Sequence, residues 1–141
     1  MIKASLRTLA GTVIGLFVAF VLIVGVEGFS TVVHPFPEDF GGTMEEMCRH
    51  VERYPQWVLA AVVPMWAVAA HVSTWIAQRI GNLYAAGIVG LLLLSALVFN
   101  LSMLPYPIWF KVANLLVVPA AILAGSRFSG RRKTAGPSEV N

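Results

Sequence analysis

The sequence predicts an all-α membrane fold, a bundle of four transmembrane helices, and three observations lead there. Hydrophobic residues make up 57% of the 141 residues and charged residues only 12%, about half the charge of a water-soluble domain. The mean hydropathy is +0.76. Four apolar stretches follow one another, each near the roughly 20 residues that carry a helix across about 30 Å of hydrocarbon. Lipid offers no hydrogen bonds to an open backbone, so these stretches are read as helices rather than strands.

The predicted spans are residues 8–26, 57–77, 83–104 and 108–125, within a membrane domain of residues 1–126. The first follows Lys3 and Arg7. It is longer than the apolar core of a secretory signal, and no A-x-A site follows it, so it is read as a retained span. Spans two and four contain Pro64 and Pro119, each expected to kink its helix. Residues 78–82 form a tight turn between spans two and three. Pro105-Tyr106-Pro107 forms another between spans three and four, since proline stops one helix and starts the next. Residues 127–141 are a basic tail, partly disordered by composition.

The long connection after span one, starting at Glu27, holds a predicted amphipathic helix over residues 43–54. Thr43 and Glu46 have the spacing of a capping box. Met44, Met47, Cys48, Val51 and Tyr54 fall on one helical face. Glu45–Arg49 and Glu46–His50 stand four apart as supporting pairs. Tyr54 precedes Pro55, where the helix is expected to stop. Cys48 and His50 do not share a face, and no zinc-type spacing is present, so no metal site is predicted.

An internal echo suggests a duplicated helical hairpin. Pro35-Phe36-Pro37 and Pro105-Tyr106-Pro107 follow spans one and three, and Val-Val-Pro ends at Pro64 and again at Pro119. The extra helix in the first copy accounts for the different offsets, and repeated two-span units are known in membrane proteins.

Ten basic residues divide seven against three between the two sides. The richer side holds both ends and the 78–82 turn, so both termini are expected in the cytoplasm, with the plasma membrane of a bacterium as the expected location. The net charge of +3 is accounted for by those ends; no basic face with readout residues points to nucleic acid. The lone Cys48 excludes an internal disulfide.

Ionisable groups inside a span are costly and so are the first candidates for a site. Glu27, Asn100, Lys111 and Asn114 gather near the outer ends of their spans. Packed together, Glu27 and Lys111 would pair, and the cluster would bind a polar ligand or a lipid headgroup, or open a proton path. The competing expectation is that Lys111 snorkels and the asparagines join helices. His71 lies deepest, about 21 Å along span two from Trp57. It is expected either to relay a proton or to donate to a backbone carbonyl. His34, after span one, completes the ligand-binding candidates. Gly11 with Gly15, Ala86 with Gly90, and Ala120 with Ala124 have the small-xxx-small spacing that lets helices approach.

Glu27, the proline-rich loop, and Asn100 followed by Pro105-Tyr106-Pro107-Ile108-Trp109-Phe110 together resemble small four-span membrane proteins of bacteria. The resemblance implies the four-span fold and brings no activity. The chain also looks loosely like the DoxX-type four-helix proteins, a likeness that supplies no site residue.

No nucleophile motif, paired carboxylates, phosphate-binding glycine loop or CxxC is present, so neither catalysis nor a cofactor is predicted. The leading expectation is a non-catalytic accessory subunit whose surroundings are the lipid bilayer and either further copies of itself or a partner membrane protein. A ligand binder or small transporter using the polar cluster is the alternative, and a membrane enzyme acting on lipid through Glu27 and His34 the third. An accessory subunit predicts a filled bundle. A binder predicts a cavity joining Glu27, Asn100, Lys111 and Asn114.

Overall fold

The computed structural model of the chain describes residues 2–128. The basic tail predicted over residues 127–141 therefore lies, beyond Phe128, outside the described residues. Those described form five α-helices and no strand: α1 Ile2–Val33, α2 Met44–Glu52, α3 Gln56–Ile80, α4 Leu83–Met103 and α5 Ile108–Phe128. Four of these, all but α2, are long and apolar enough to cross a membrane. Phe17, Phe20, Leu91, Phe99 and Leu116 lie exposed on the outside. In water such a surface would be an adhesive patch; in lipid it is simply solvated.

The first helix overruns its predicted span at both ends, and Glu27 is not the start of a loop. With 32 residues, α1 carries the chain past Glu27 before stopping. Thr31 donates its hydroxyl to the Glu27 carbonyl at 2.9 Å, which satisfies that side chain within the helix. Pro35 then disfavours the helical conformation at His34, and the helix ends at Val33.

The α2 helix has the predicted cap. Thr43 accepts from the Glu46 amide at 3.2 Å. The Glu46 carboxylate accepts in return from the Thr43 amide at 3.0 Å and from the Gly41 amide at 3.1 Å. These bonds hold the Glu46 carboxyl below the usual carboxylate range. Glu46 is thus occupied at the cap, and the expected Glu46–His50 pair does not form. Arg49 and Glu45 do pair, at 3.8 Å on the exposed side. Thr43→Ala should loosen the helix start by about 1 kcal/mol, read as faster amide exchange over the first turn of α2. Unchanged exchange there would mean that the cap contributes nothing.

Helix α3 is the centre of the bundle. It packs against α1, α4 and α5, while α4 packs against α1 and α5. At the end with the α3–α4 turn, the contacts are between small residues. Ala77, Ala85, Ala86 and Val89 form a buried cluster there, and Gly11 and Gly15 of α1 face it. Asn82 fastens the same end: it caps α4 by accepting from the Ala85 amide at 3.1 Å and donates to the Thr8 hydroxyl at 2.7 Å. At the other end the core is bulkier, built from Val26, Val58, Leu59, Val62, Leu97, Leu101 and Phe110, with Tyr54 and Tyr106 packed against it. Trp109 donates to Gln56 at 2.8 Å, joining the starts of α3 and α5.

Candidate functional site

Alanines of α3 and α4 border a gap between helices. Glycine and alanine bring α1 against α3 and α4 at the turn end, and larger side chains replace them toward the α2 end. A cavity of about 170 Å³ lies among α1, α3, α4 and α5. Glu27 of α1, Trp66, Ala69 and Ala70 of α3, and Ala96 and Asn100 of α4 are among its lining residues. Glu27 and Ala96 are exposed and Asn100 is half-buried, whereas Ala69 and Ala70 are buried. The mouth therefore lies between α1 and α4, and the floor is α3. The walls are overwhelmingly apolar, and among the described residues Glu27 is the only ionisable one lining them.

Two tyrosines stand near the Glu27 carboxylate on the α2 side. Tyr54 shares a hydrogen bond with the Ser30 side chain. Burial, and after it the Glu27 charge, pushes the Tyr54 hydroxyl above its usual range, with Ser30 opposing. Burial, Glu27 and Tyr54 together push Tyr106 further up. Both hydroxyls therefore stay protonated across ordinary pH and present neutral donors near the carboxylate.

Of the predicted cluster, the structure brings only Glu27 and Asn100 together. Lys111 and Asn114 lie on α5, across the bundle from α1, and do not line the cavity. The expected Glu27–Lys111 pair does not form; among the described residues the ion pair is Arg49–Glu45. Helix α3 separates the two chains of side groups. Asn114 is fully buried and donates to the Phe110 carbonyl at 2.9 Å. His71 lies away from the cavity, its Nδ1 donating to the Ala121 carbonyl at 3.3 Å and so tying α3 to α5.

His34 is placed in an aromatic stack with α2. The His34 and His50 rings are parallel within 23° at 4.4 Å, and Phe36 stacks near the other side of His50 at 4.3 Å. His50, read from the sequence as part of the polar face, is instead buried at 5% exposure. The side that α2 turns inward carries Met47, Cys48, His50 and Val51, with Tyr54 just beyond the helix end at Glu52, and not Met44, which is 52% exposed. Among the described residues no three His, Cys, Asp or Glu side chains gather as a metal site.

Burial, then the neighbouring His34, pushes the His50 pKa below the usual 6.5. The folded form therefore holds fewer protons than the unfolded form, and the stack is most stable above about pH 6.5. Protection of the Met44–Glu52 amides should fall as the pH drops below that value, after correction for intrinsic exchange. His50→Phe should flatten the dependence. Protection that is level from about pH 8 to pH 5 would show that the stack does not respond to protons.

Three participants were not singled out by sequence reasoning: Trp66, Tyr54 and Tyr106. Tyr54 was visible as part of an apolar face and Tyr106 as part of a turn, but nothing in the sequence pairs either with Glu27. Trp66 carried only the weak signal of a large ring near mid-span. Comparison of the chain with protein-family models, with characterised proteins and with solved structures finds no match.

Proposed function

We propose that the chain is a small non-catalytic membrane protein that binds an amphipathic molecule taken sideways from the bilayer. The observation that carries this reading is the cavity of about 170 Å³ opening between α1 and α4, apolar within and bordered by Glu27 and Asn100. A cavity of about 150 Å³ admits a benzene-sized body, so the apolar part of a ligand has room to enter. A filled bundle, the expectation for a purely accessory subunit, would have no such space. Among the described residues no nucleophile and base line the cavity together, and His34 belongs to the aromatic stack, so we assign no role in catalysis.

Ala96 lines the mouth and is exposed, which makes it the position at which to close the cavity without disturbing the core. Protein in lipid nanodiscs should bind a spin-labelled single-chain amphiphile saturably, and Ala96→Phe should abolish that binding while leaving the helical circular dichroism unchanged. Binding that persists in Ala96→Phe would overturn the reading.

The finer placement belongs to the same proposal. The membrane is a bacterial plasma membrane, and both termini face the cytoplasm, on the strength of the seven-to-three basic split. Helix α2 then lies amphipathically at the outer interface, over the wide end of the bundle. A duplicated hairpin would relate α1 and α3 to α4 and α5; Pro64 and Pro119 inside α3 and α5 support it. Labelling Cys48 from outside intact cells tests the orientation.

A second reading, self-association, has one observation in its favour. Gly25 and Gly28 have open space around them on α1, and small residues let a second helix approach closely. Gly28→Leu would then shift the protein toward monomer in chemical cross-linking.

A further inference from the structure

We propose that the cavity selects a lipophilic cation: an organic ammonium group on an apolar body. This rests on the amphiphile-binding reading and names its ligand class. Among the described residues, Glu27 is the only ionisable one lining the cavity. Among the described residues no Lys, Arg or His lies within ion-pair distance of it. A carboxylate facing an apolar cavity is stabilised by a positive partner, and among the described residues none stands within reach. The groups that do stand near Glu27, Tyr54 and Tyr106, are neutral phenols. An incoming ammonium would provide the missing charge.

Two further wall groups, the Trp66 ring and the Asn100 oxygen, favour the same class, while the buried Trp66 indole N–H has no acceptor among the described residues. Trp66 borders the cavity, and an indole face attracts a cation more strongly than any other side-chain ring. The Asn100 side-chain oxygen is buried with no donor among the described residues, so its dipole adds a second negative element beside the carboxylate. Metal ions fit poorly, because a hard cation takes several oxygen ligands and the lining offers side-chain oxygens from Glu27 and Asn100 alone. An anionic headgroup would meet Glu27 with repulsion. A neutral chain would fill the volume and leave the carboxylate without a partner.

The test compares two probes of one shape. Dodecyltrimethylammonium carries the charge; its carbon analogue, with a quaternary carbon in place of nitrogen, does not. Both would be added, radiolabelled, to the full chain in zwitterionic nanodiscs, with empty nanodiscs subtracted. The cation should bind about tenfold more tightly or better, the factor that 1.4 kcal/mol represents. Glu27→Gln should remove that difference without changing the neutral probe, and Glu27→Asp should keep part of it. Trp66→Phe should weaken the cation more than the neutral probe. Equal binding of both probes, blocked for both by Ala96→Phe, would overturn the cation proposal and leave the amphiphile reading standing. If neither probe binds above empty nanodiscs, both fall. Each variant is checked by circular dichroism, and Glu27, being exposed, tolerates the change to glutamine without a core to repack.

Discussion

Replacing Gly11 with leucine opens the α3–α4 turn end of the bundle and lowers the unfolding midpoint more than any surface change. A Cβ at Gly11 would stand 2.6 Å from both the Ala77 carbonyl oxygen and the Gly81 Cα. Those are backbone atoms, which cannot rotate aside, so α1 itself must move out. Moving it breaks the Arg7 bond to the Gly81 carbonyl at 3.2 Å and the Asn82 bond to Thr8 at 2.7 Å. Overpacking of this kind costs about 3 kcal/mol or more. The measurement is thermal or denaturant unfolding in detergent, followed by circular dichroism. Gly87→Leu is the control: it is equally apolar and helical but has open space around it. If Gly11→Leu unfolds no earlier than Gly87→Leu, the close approach of α1 to α3 is wrong.

Phe110→Ala should have the second large effect, at the opposite end. Phe110 is fully buried, with the Tyr106, Trp109 and Trp66 rings at 4.8, 5.8 and 5.9 Å. Lipid tails are as apolar as the ring, so little is gained by hiding it from lipid. What holds the side chain is dispersion with neighbours that cannot collapse into the void. Truncation in a packed core costs about 3–5 kcal/mol, and with lipid as the reference the lower end, about 3 kcal/mol, is expected. Phe99→Ala is the comparison, because Phe99 is 65% exposed and loses only lipid contacts. Equal midpoints for the two variants would show that the aromatic group at the α2 end adds nothing to stability.

The four long helices were legible because lipid imposes one rule on every residue of a span, and hydropathy records it locally. The end of α1 was not legible. Glu27-Gly28 and Ser30-Thr31 read as loop, yet Thr31 satisfies itself on the Glu27 carbonyl and Ser30 is buried beside Tyr54. The cap of α2 was legible because Thr43 and Glu46 lie three residues apart. The burial of His50 was not, since the rings that cover it, His34 and Phe36, come from before the helix. For the site, Glu27 and Asn100 announced themselves as polar groups in apolar surroundings. Their association with Lys111 failed for a tertiary reason: α3 stands between α1 and α5, and nothing in the four hydropathy stretches says which helix is central. Ala69 and Ala70 form the cavity floor only because of what faces them.

The length of α1 has a consequence for where the site sits in depth. About twenty residues separate Arg7 from Glu27, or roughly 30 Å of helix, the thickness of the hydrocarbon layer. The two charges would then mark its opposite boundaries, and the mouth of the cavity would open at the level of the glycerol groups rather than among the tails. Bilayer thickness becomes a control on the site. A thicker membrane draws the carboxylate into hydrocarbon, where an unmatched charge is costly; a thinner one returns it to water. Tilting of α1 offsets mismatch of this sort at a fraction of a kcal/mol per ångström, and a tilt of α1 would alter its separation from α4, the gap through which a guest must pass.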